Sequence, residues 1–314
     1  MITPPYLRQG QCVAVVAPSR FVIPDEIEPA IRLIESWGLE VVRGKSLYSR
    51  WNQFAGTDQE RAADLQGMLD DTSVKAILFA RGGYGAVRII DKIDFRPFTK
   101  HPKWIAGYSD ITVFFQHIEK NCGIEVLHAP MLINFDGSNE ALSSFETLRK
   151  AVFGEPIGYN IDPQPFSRPG VADAPLTGGN LSLLCSLSNS TSEAGTEGKI
   201  LFFEEVDEYH YHVDRMIQQL KRSGKLSKLA GLIVGGMEKI HDNTVPFGST
   251  TNQIIYEAVK EYNFPVLIGF PAGHTLLNST LILGRKVSMQ VGQKAMITFM
   301  EAEEEIQSDT CNKD

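Results

Sequence analysis

A serine and a glycine-rich turn stand directly after two apolar segments of this sequence. Ser109 lies in Gly107-Tyr-Ser-Asp110, between a predicted strand and a predicted helix. A serine on such a turn projects its hydroxyl above the sheet, and the amide of the next residue faces the same space. The turn departs from the G-x-S-x-G pattern, and serine also caps helices. The motif alone therefore leaves a nucleophile and an N-cap both open.

The glycine-rich turn, Arg81-Gly-Gly-Tyr-Gly85, follows another apolar segment. Glycines let backbone amides approach a ligand closely, so Gly82 and Gly83 could form an oxyanion hole or cradle a phosphate. Neither G-x-G-x-x-G nor a following Gly-Lys-Ser/Thr is present, which argues against a nucleotide site. Because the carboxyl ends of parallel strands share one sheet edge, this turn and Ser109 are predicted to lie together.

A nucleophilic serine needs a base, and the base needs a carboxylate to orient it. Of the seven histidines, His128 and His274 follow predicted strands and are candidates for a cleft. Glu204 and Glu205 close the apolar segment Ile200-Leu-Phe-Phe203, which holds a carboxylate at the end of a strand. These residues predict a serine-based site without choosing between the two glutamates.

Two further histidines, His210 and His212, follow the glutamate pair closely. In an extended segment, residues two apart share a face, so both imidazoles could bind one zinc ion. The H-E-x-x-H signature is absent, and the sequence predicts no metal and no organic cofactor. A metallopeptidase that uses these histidines remains an alternative.

The elements that would position these residues alternate between strand and helix in the first half. Strands are predicted at 12–17, 39–42, 76–80 and 104–107, and helices at 24–37, 57–69 and 111–121. The second half contains predicted helices from about 180 and at 213–222, and predicted strands at 199–203, 229–234, 266–268, 286–290 and 295–299. This alternation predicts an α/β fold with an open parallel, flavodoxin-like sheet.

A change in composition divides the chain. Residues 156–176 contain five of its sixteen prolines, which predicts a linker between a domain at 1–155 and a smaller one at 177–300. The second domain is expected to be mixed β/α with a barrel-like sheet, since its last strands follow one another closely. Residues 301–314 are expected to form a disordered acidic tail, because the segment from Met300 onward carries −5 of the formal charge of −8.

Composition narrows the functional classes. The chain has 314 residues, of which 43% are hydrophobic and 22% charged, with an excess of acidic residues. This composition excludes fibrous and disordered classes, and the charge argues against nucleic-acid or anionic-membrane partners. The scattered cysteines form no C-x-x-C pair, the N-terminus lacks a signal-peptide layout, and no apolar segment approaches 18 residues. A soluble, reduced, cytoplasmic protein is predicted.

Eight segments taken together resemble the LD-carboxypeptidase family of serine peptidases, which includes muramoyltetrapeptide carboxypeptidases and microcin self-immunity proteins. They occur in the family's order between about residues 10 and 290. These segments are Val15-Val-Ala-Pro-Ser19, Phe54-Ala-Gly-Thr57, Ala80-Arg-Gly-Gly-Tyr-Gly85, Gly107-Tyr-Ser-Asp110, His128-Ala-Pro-Met131, Gly178-Gly-Asn-Leu181, Phe203-Glu-Glu-Val206 and Gly273-His-Thr275.

The resemblance implies a role for each residue. Ser109 would be the nucleophile, His274 the base and Glu204 the orienting acid. Family members often have Glu-Asp where this chain has Glu204-Glu205, so Glu205 stays a possible substitute. The oxyanion hole would be formed by the amides of Asp110 and of a glycine in the Gly82-Gly83 pair.

The implied activity is removal of a terminal D-amino acid, D-Ala of a muropeptide tetrapeptide, in peptidoglycan recycling, by a cytoplasmic homodimer without a cofactor. Such an enzyme binds a free carboxylate, for which Arg81 is the predicted partner. A microcin-immunity-like peptidase acting on peptidyl- or aminoacyl-nucleotides is the first alternative. A non-catalytic, two-lobed protein that binds a small ligand is the second.

Overall fold

The computed structural model describes residues 1–301. Its strands are β1 (Cys12–Val16), β2 (Glu40–Arg43), β3 (Val74–Phe79), β4 (Trp104–Gly107), β5 (Val126–His128), β6 (Gly158–Ile161), β7 (Gly170–Asn180), β8 (Ile200–Val206), β9 (Gly231–Glu238), β10 (Val266–Ile268), β11 (Leu281–Leu283), β12 (Lys286–Val291) and β13 (Ala295–Phe299). Its helices are α1 (Pro24–Ser36), α2 (Asp58–Asp70), α3 (Arg96–Lys100), α4 (Thr112–Asn121), α5 (Asn139–Phe153), α6 (Leu181–Ser186), α7 (His210–Arg222) and α8 (Thr251–Val259).

The first sheet contains the N-terminal strands. Its order is β2-β1-β3-β4-β5, all parallel, with β11 added antiparallel to β5 at the edge. Strands β1, β3 and β4 are buried along nearly their whole length, which explains their continuous apolar sequences. The order 2-1-3-4-5 is that of flavodoxin-like sheets. The predicted α/β class with an open parallel sheet is confirmed.

The second sheet is mixed, with the order β10-β9-β8-β7-β12-β13-β6. Strands β7 to β10 are parallel, while β12, β13 and β6 follow in antiparallel order. In the described chain no pairing joins the two edge strands, β10 and β6, so the expected barrel-like closure is not seen. Helices α7 and α8 pack beside strands β8 and β9, with Val213, Ile217 and Ile255 fully or almost fully buried.

The proline-rich segment at 156–176, predicted as a linker, contributes structure to the second sheet. It contains β6 and the first half of β7, and between them Arg168 pairs with Val266. Four of its five prolines lie outside the strands. The fifth, Pro175, lies in β7, one residue before Leu176, where the pairing of β7 with β8 begins. Pro175 also stands opposite Lys286, the first residue of β12, so it lies at the end of that pairing, a position where proline is tolerated in a sheet. Proline content alone therefore mispredicted this segment.

The two halves of the chain share one hydrophobic core. A single buried cluster joins Val16 and Phe79 of the first sheet to Phe202, Ile233 and others of the second. Strand β11 also returns from the second half of the sequence to the first sheet. The predicted division into domains at 1–155 and 177–300 stays a prediction. The predicted acidic tail lies outside the described residues, apart from Glu301.

Hydrogen bonds between α4 and β7 connect the sheets close to the predicted site. The Asn180 amide donates to Thr112 Oγ1 at 2.9 Å, and Gln116 Nε2 donates to the Gly178 carbonyl at 3.1 Å. The hydroxyl of Thr177 donates to Glu119 Oε2 at 2.6 Å. Helix α4, which follows Ser109, is thus fixed to β7. Strand β7 lies beside β8, which carries Glu204 and Glu205 near its end. None of the helices in residues 1–301 has the length and apolarity needed to cross a bilayer.

Candidate active site

Ser109 occupies a strained turn between β4 and α4. Its backbone φ is +62°, in the left-handed region that disfavours residues other than glycine. The strand before it is fully buried, and Tyr108 is fixed by a 3.0 Å hydrogen bond from Asn134 Nδ2 to its hydroxyl. Strain of this kind concentrates at functional sites. Ser109 itself is partly buried, so its hydroxyl can reach a ligand.

The glycine-rich turn after β3 lies directly against this serine. A Cβ atom placed on Gly82 would lie 3.1 Å from Ser109 Cβ and 3.3 Å from Ser109 Oγ. This close approach puts the backbone of Gly82 directly beside the Ser109 side chain, where its amide is a candidate oxyanion-hole donor. The two sequence motifs that were predicted to meet at one sheet edge do meet.

The side chain of Asp110 connects the two turns. Its buried Oδ2 accepts hydrogen bonds from Ser19 Oγ at 2.5 Å and from the Ala86 amide at 2.8 Å. Burial raises the pKa of Asp110, although both hydrogen bonds and the charge of Arg61 oppose that rise. The loops that follow β1, β3 and β4 are therefore held by one carboxyl group.

Arg61 of α2 provides a second brace. Its side chain is buried, and its Nη1 donates to the carbonyls of Pro18 and of Gly85, the latter at 3.1 Å. Its other terminal nitrogen pairs with Asp58. Sequence reasoning missed both Arg61 and the Asp110 side chain, because an arginine on a polar helix face resembles any surface arginine. Only their partners, distant in sequence, distinguish them.

His274, in the loop after β10, and Glu204, in β8, come together although they are seventy residues apart in the chain. His274 Nδ1 lies 2.7 Å from Glu204 Oε2, and the His274 backbone amide donates to the same oxygen at 3.2 Å. Since a carboxylate only accepts, Nδ1 carries the proton and Nε2 is left with a lone pair. Gly273 permits this approach, because its φ is +103° and a Cβ there would lie 2.5 Å from Glu204 Cγ.

The electrostatic surroundings of His274 favour its protonated form. Burial lowers the pKa of His274, but the hydrogen bond and charge of Glu204, with a smaller contribution from Glu205, outweigh it and leave the pKa above the ordinary value. Glu204 is completely buried beneath the ring. The Tyr108 and His274 rings are 4.8 Å apart, edge to face, which brings His274 next to the residue before Ser109.

Glu205 has different partners. Its Oε1 accepts from Asn180 Nδ2 at 2.9 Å, and its Oε2 accepts from the Ser182 amide at 2.8 Å, at the start of α6. Burial raises the pKa of Glu205. Since both oxygens serve the β7–α6 junction, Glu204 alone of the pair contacts His274.

His128, the other histidine predicted to line a cleft, is buried against Tyr108. Its ring is completely buried between Tyr108 and Phe202, with ring centroids 5.8 Å and 4.8 Å away. Neither ring nitrogen has a hydrogen-bond partner within residues 1–301. Burial lowers the pKa of His128 to about 4. His128 is therefore a neutral, buried residue that packs under Tyr108 and does not act as the base.

Two other predictions meet the geometry less well. The Arg81 guanidinium lies 3.8 Å from Glu26 and donates to the Phe21 carbonyl at 3.4 Å, both on the α1 side of the turn. His210 and His212 begin α7 instead of lying in an extended segment, so their side chains point roughly 200° apart.

The two histidines have separate partners as a result. His210 Nδ1 lies 3.3 Å from Thr251 Oγ1, while His212 pairs with Glu208. This geometry does not support the alternative in which both histidines bind one zinc ion. Within the described part of the chain, no cluster of three metal-ligating side chains is found.

A cavity of about 1310 Å³ opens beside His274. Tyr108 and Asn134 contribute to its wall from the first half, and the rest comes from the second half, mainly from the end of β9, the segment that leads into α8 and the segment around His274. This volume exceeds that of a single amino acid several-fold and suits a peptide-sized ligand.

Family models match both halves of the chain. The LD-carboxypeptidase N-terminal domain matches residues 13–129, and the LD-carboxypeptidase C-terminal domain matches residues 173–289. A Bacillus subtilis protein described as "Probable murein peptide carboxypeptidase" is 36% identical over 94% of this chain and 93% of its own. The protein is thus, by class, a serine carboxypeptidase.

Solved structures agree on the fold. Muramoyltetrapeptide carboxypeptidase from Oxalobacter formigenes aligns with a TM-score of 0.84 at 26% identity, over 92% of this chain and 98% of its own. The microcin C7 self-immunity protein MccF, solved with glutamyl sulfamoyl guanosine, reaches the same TM-score at 20% identity, over 94% of this chain and 97% of its own. The chain belongs to the LD-carboxypeptidase family. The resemblance drawn from the sequence is confirmed.

Proposed function

We propose that this protein is a serine-type LD-carboxypeptidase that releases D-Ala from a muropeptide tetrapeptide in peptidoglycan recycling. The observation that carries the proposal is the 2.7 Å contact between His274 Nδ1 and Glu204, with the His274 ring against Tyr108, the residue before the strained Ser109. The name of the Bacillus subtilis relative supports the substrate class. A cytoplasmic homodimer is part of the proposal and rests on the family resemblance.

The residues supply a complete acyl-transfer sequence. Ser109 Oγ attacks the carbonyl before the terminal residue while His274 Nε2 takes its proton. Glu204 holds the tautomer and stabilises the imidazolium that forms. The amides of Asp110 and of a glycine in the Gly82-Gly83 pair stabilise the oxyanion, an effect worth about 3–4 kcal/mol per donor. His274 then protonates the departing amine, and water hydrolyses the acyl-enzyme with the same histidine as base.

The test uses purified protein and tetrapeptides ending in D-Ala, with meso-diaminopimelate or lysine at the third position. Released D-Ala is measured by mass spectrometry, and the same peptides ending in L-Ala are the matched control. We expect cleavage of the D-Ala peptides alone and a loss of about 10³-fold or more in kcat for Ser109→Ala. Unchanged turnover by that variant would exclude Ser109 as the nucleophile.

A second candidate is hydrolysis of a peptidyl- or aminoacyl-nucleotide amide. The large cavity and the fold shared with MccF favour it. Aminoacyl sulfamoyl nucleotides offered in the same assay separate the candidates. A kcat/KM for these compounds above that for the tetrapeptides would assign the protein to the second activity.

A further inference from the structure

Lys239 is a cation without a carboxylate partner on the wall of the large cavity. It follows β9 directly, and its backbone φ of +51° turns the chain at that point. It is the single lysine or arginine among the residues that line the cavity in the described chain. Lys239 is exposed, and within the described residues other exposed lysines such as Lys92 and Lys100 also lack an ion pair, so what distinguishes Lys239 is its place on the cavity wall. Within residues 1–301, Lys239 forms no ion pair and no side-chain hydrogen bond.

The proposed chemistry requires a cation in this region. His274 protonates the departing amine, so that amine lies within hydrogen-bond reach of the ring. In an α-amino acid the carboxyl carbon is about 2.5 Å from the amine nitrogen, because two bonds separate them. The terminal carboxylate therefore lies within a few Å of His274. His274 itself lines the cavity that Lys239 faces.

The structure around β9 holds the segment before Lys239 against the loop that carries His274. The Gly236 amide donates to the Ala272 carbonyl at 2.9 Å, which fixes the end of β9 under the loop that carries His274. The Lys239 charge lowers the pKa of His274, in the same direction as burial and against the larger effect of Glu204. Arg81 is less favourably directed, because its guanidinium faces Glu26 and the Phe21 carbonyl.

We infer that Lys239 binds the terminal carboxylate of the substrate and thereby makes this enzyme a carboxypeptidase instead of an endopeptidase. The inference rests on the proposed function and adds the residue that determines its specificity. An unpaired ammonium in the cavity meets a carboxylate only when a peptide ends at that position. A chain continuing past it offers a neutral amide and leaves the cation unused.

The test pairs a change in the enzyme with a change in the substrate. Wild type, Lys239→Met and Arg81→Gln are assayed on a tetrapeptide with a free C-terminal carboxylate and on the same peptide as its carboxamide. The matched control is Lys228→Met, which removes an exposed lysine paired with Glu197. We expect Lys239→Met to lower kcat/KM for the carboxylate about 10- to 100-fold, mainly through KM, and to leave the carboxamide unchanged.

A binding measurement keeps this inference separate from the proposed function. D-Ala is titrated while the imidazole NMR signal of His274 is followed; wild type and Ser109→Ala should bind it equally, and Lys239→Met at least tenfold more weakly. D-Ala binding that depends on Lys239, without turnover of either peptide, would support Lys239 and refute the proposed peptidase activity. The inference would be overturned if Lys239→Met kept the wild-type preference for the peptide with a free carboxylate over its carboxamide. It would also be overturned if Arg81→Gln alone removed that preference. Equal binding of D-Ala by wild type and Lys239→Met, or none by either, would also overturn it.

Discussion

Replacing His128 by phenylalanine should reduce the loss of stability that we expect of the wild-type protein in acid. The ring is completely buried against Tyr108 and Phe202, and its pKa is lowered to about 4. In the unfolded chain a histidine titrates near 6.5. Between these two values the unfolded state binds a proton that the folded state does not. Stability therefore falls as the pH drops from about 6.5 towards 4.

The size of the effect follows from the difference between the two pKa values. A difference of about 2.5 units corresponds to roughly 3 kcal/mol, at 1.36 kcal/mol per unit. No discount for solvent exposure applies, because the ring is completely buried. Phenylalanine keeps an aromatic ring in the space and removes the titration. It also adds volume, which changes stability by a similar amount at every pH.

The assay is urea unfolding followed by tryptophan fluorescence at pH 7.0, 5.5 and 4.0. The quantity of interest is the free energy of unfolding at pH 7.0 minus that at pH 4.0, because the constant packing effect cancels in this difference. The difference should be about 3 kcal/mol smaller in His128→Phe than in wild type. His101, an exposed histidine, gives the control His101→Phe, which should behave as wild type. Equal differences in wild type and His128→Phe would refute the reasoning.

Three further predictions concern the site. As the pH is lowered, kcat/KM should fall with a midpoint above pH 6.5, because His274 must be neutral to act as base and Glu204 raises its pKa. In Glu204→Gln, an NMR titration of the His274 ring should give a midpoint below pH 6.5. A midpoint that does not move would contradict the role of Glu204. Ser109→Gly should unfold with a free energy about 1 kcal/mol higher than Ser109→Ala, because glycine tolerates a φ of +62°; equal values in urea titrations would argue against strain. Gly82→Ala should lower kcat about 10- to 100-fold with little change in melting temperature, because the new methyl group would lie 3.3 Å from Ser109 Oγ. Full activity of this variant would mean that the substrate carbonyl does not bind at this turn.

Local patterns predicted the elements that carry the site. The capping box of Thr57 and Glu60 opens α2 as expected, with Thr57 Oγ1 accepting from the Glu60 amide at 3.3 Å. Strands β4, β10 and β13 have the predicted bounds. These features depend on neighbours within a few residues, so their signals lie in the sequence itself. Helix α5 was not predicted, although its N-cap serine and following apolar residues indicate it.

Contacts between distant residues were beyond such patterns. Nothing local distinguishes Glu204 from Glu205, and the choice depends on which carboxylate faces a loop seventy positions later. The same holds for the buried Arg61 and for Lys239, whose neighbours come from other elements. The proline-rich segment was predicted as a linker because proline content does not show which strands β6 and β7 pair with.

Strand β11 also affects when this site can form during synthesis. It pairs with β5 although about 150 residues separate the two strands in the chain. At a synthesis rate of about 5–20 residues per second, the partner of β5 emerges roughly 10–30 s after it. During that interval the nascent first sheet exposes unpaired backbone groups along β5, the kind of edge that recruits other strands. A segment with no predicted catalytic residue thus determines how long the growing chain needs protection from aggregation.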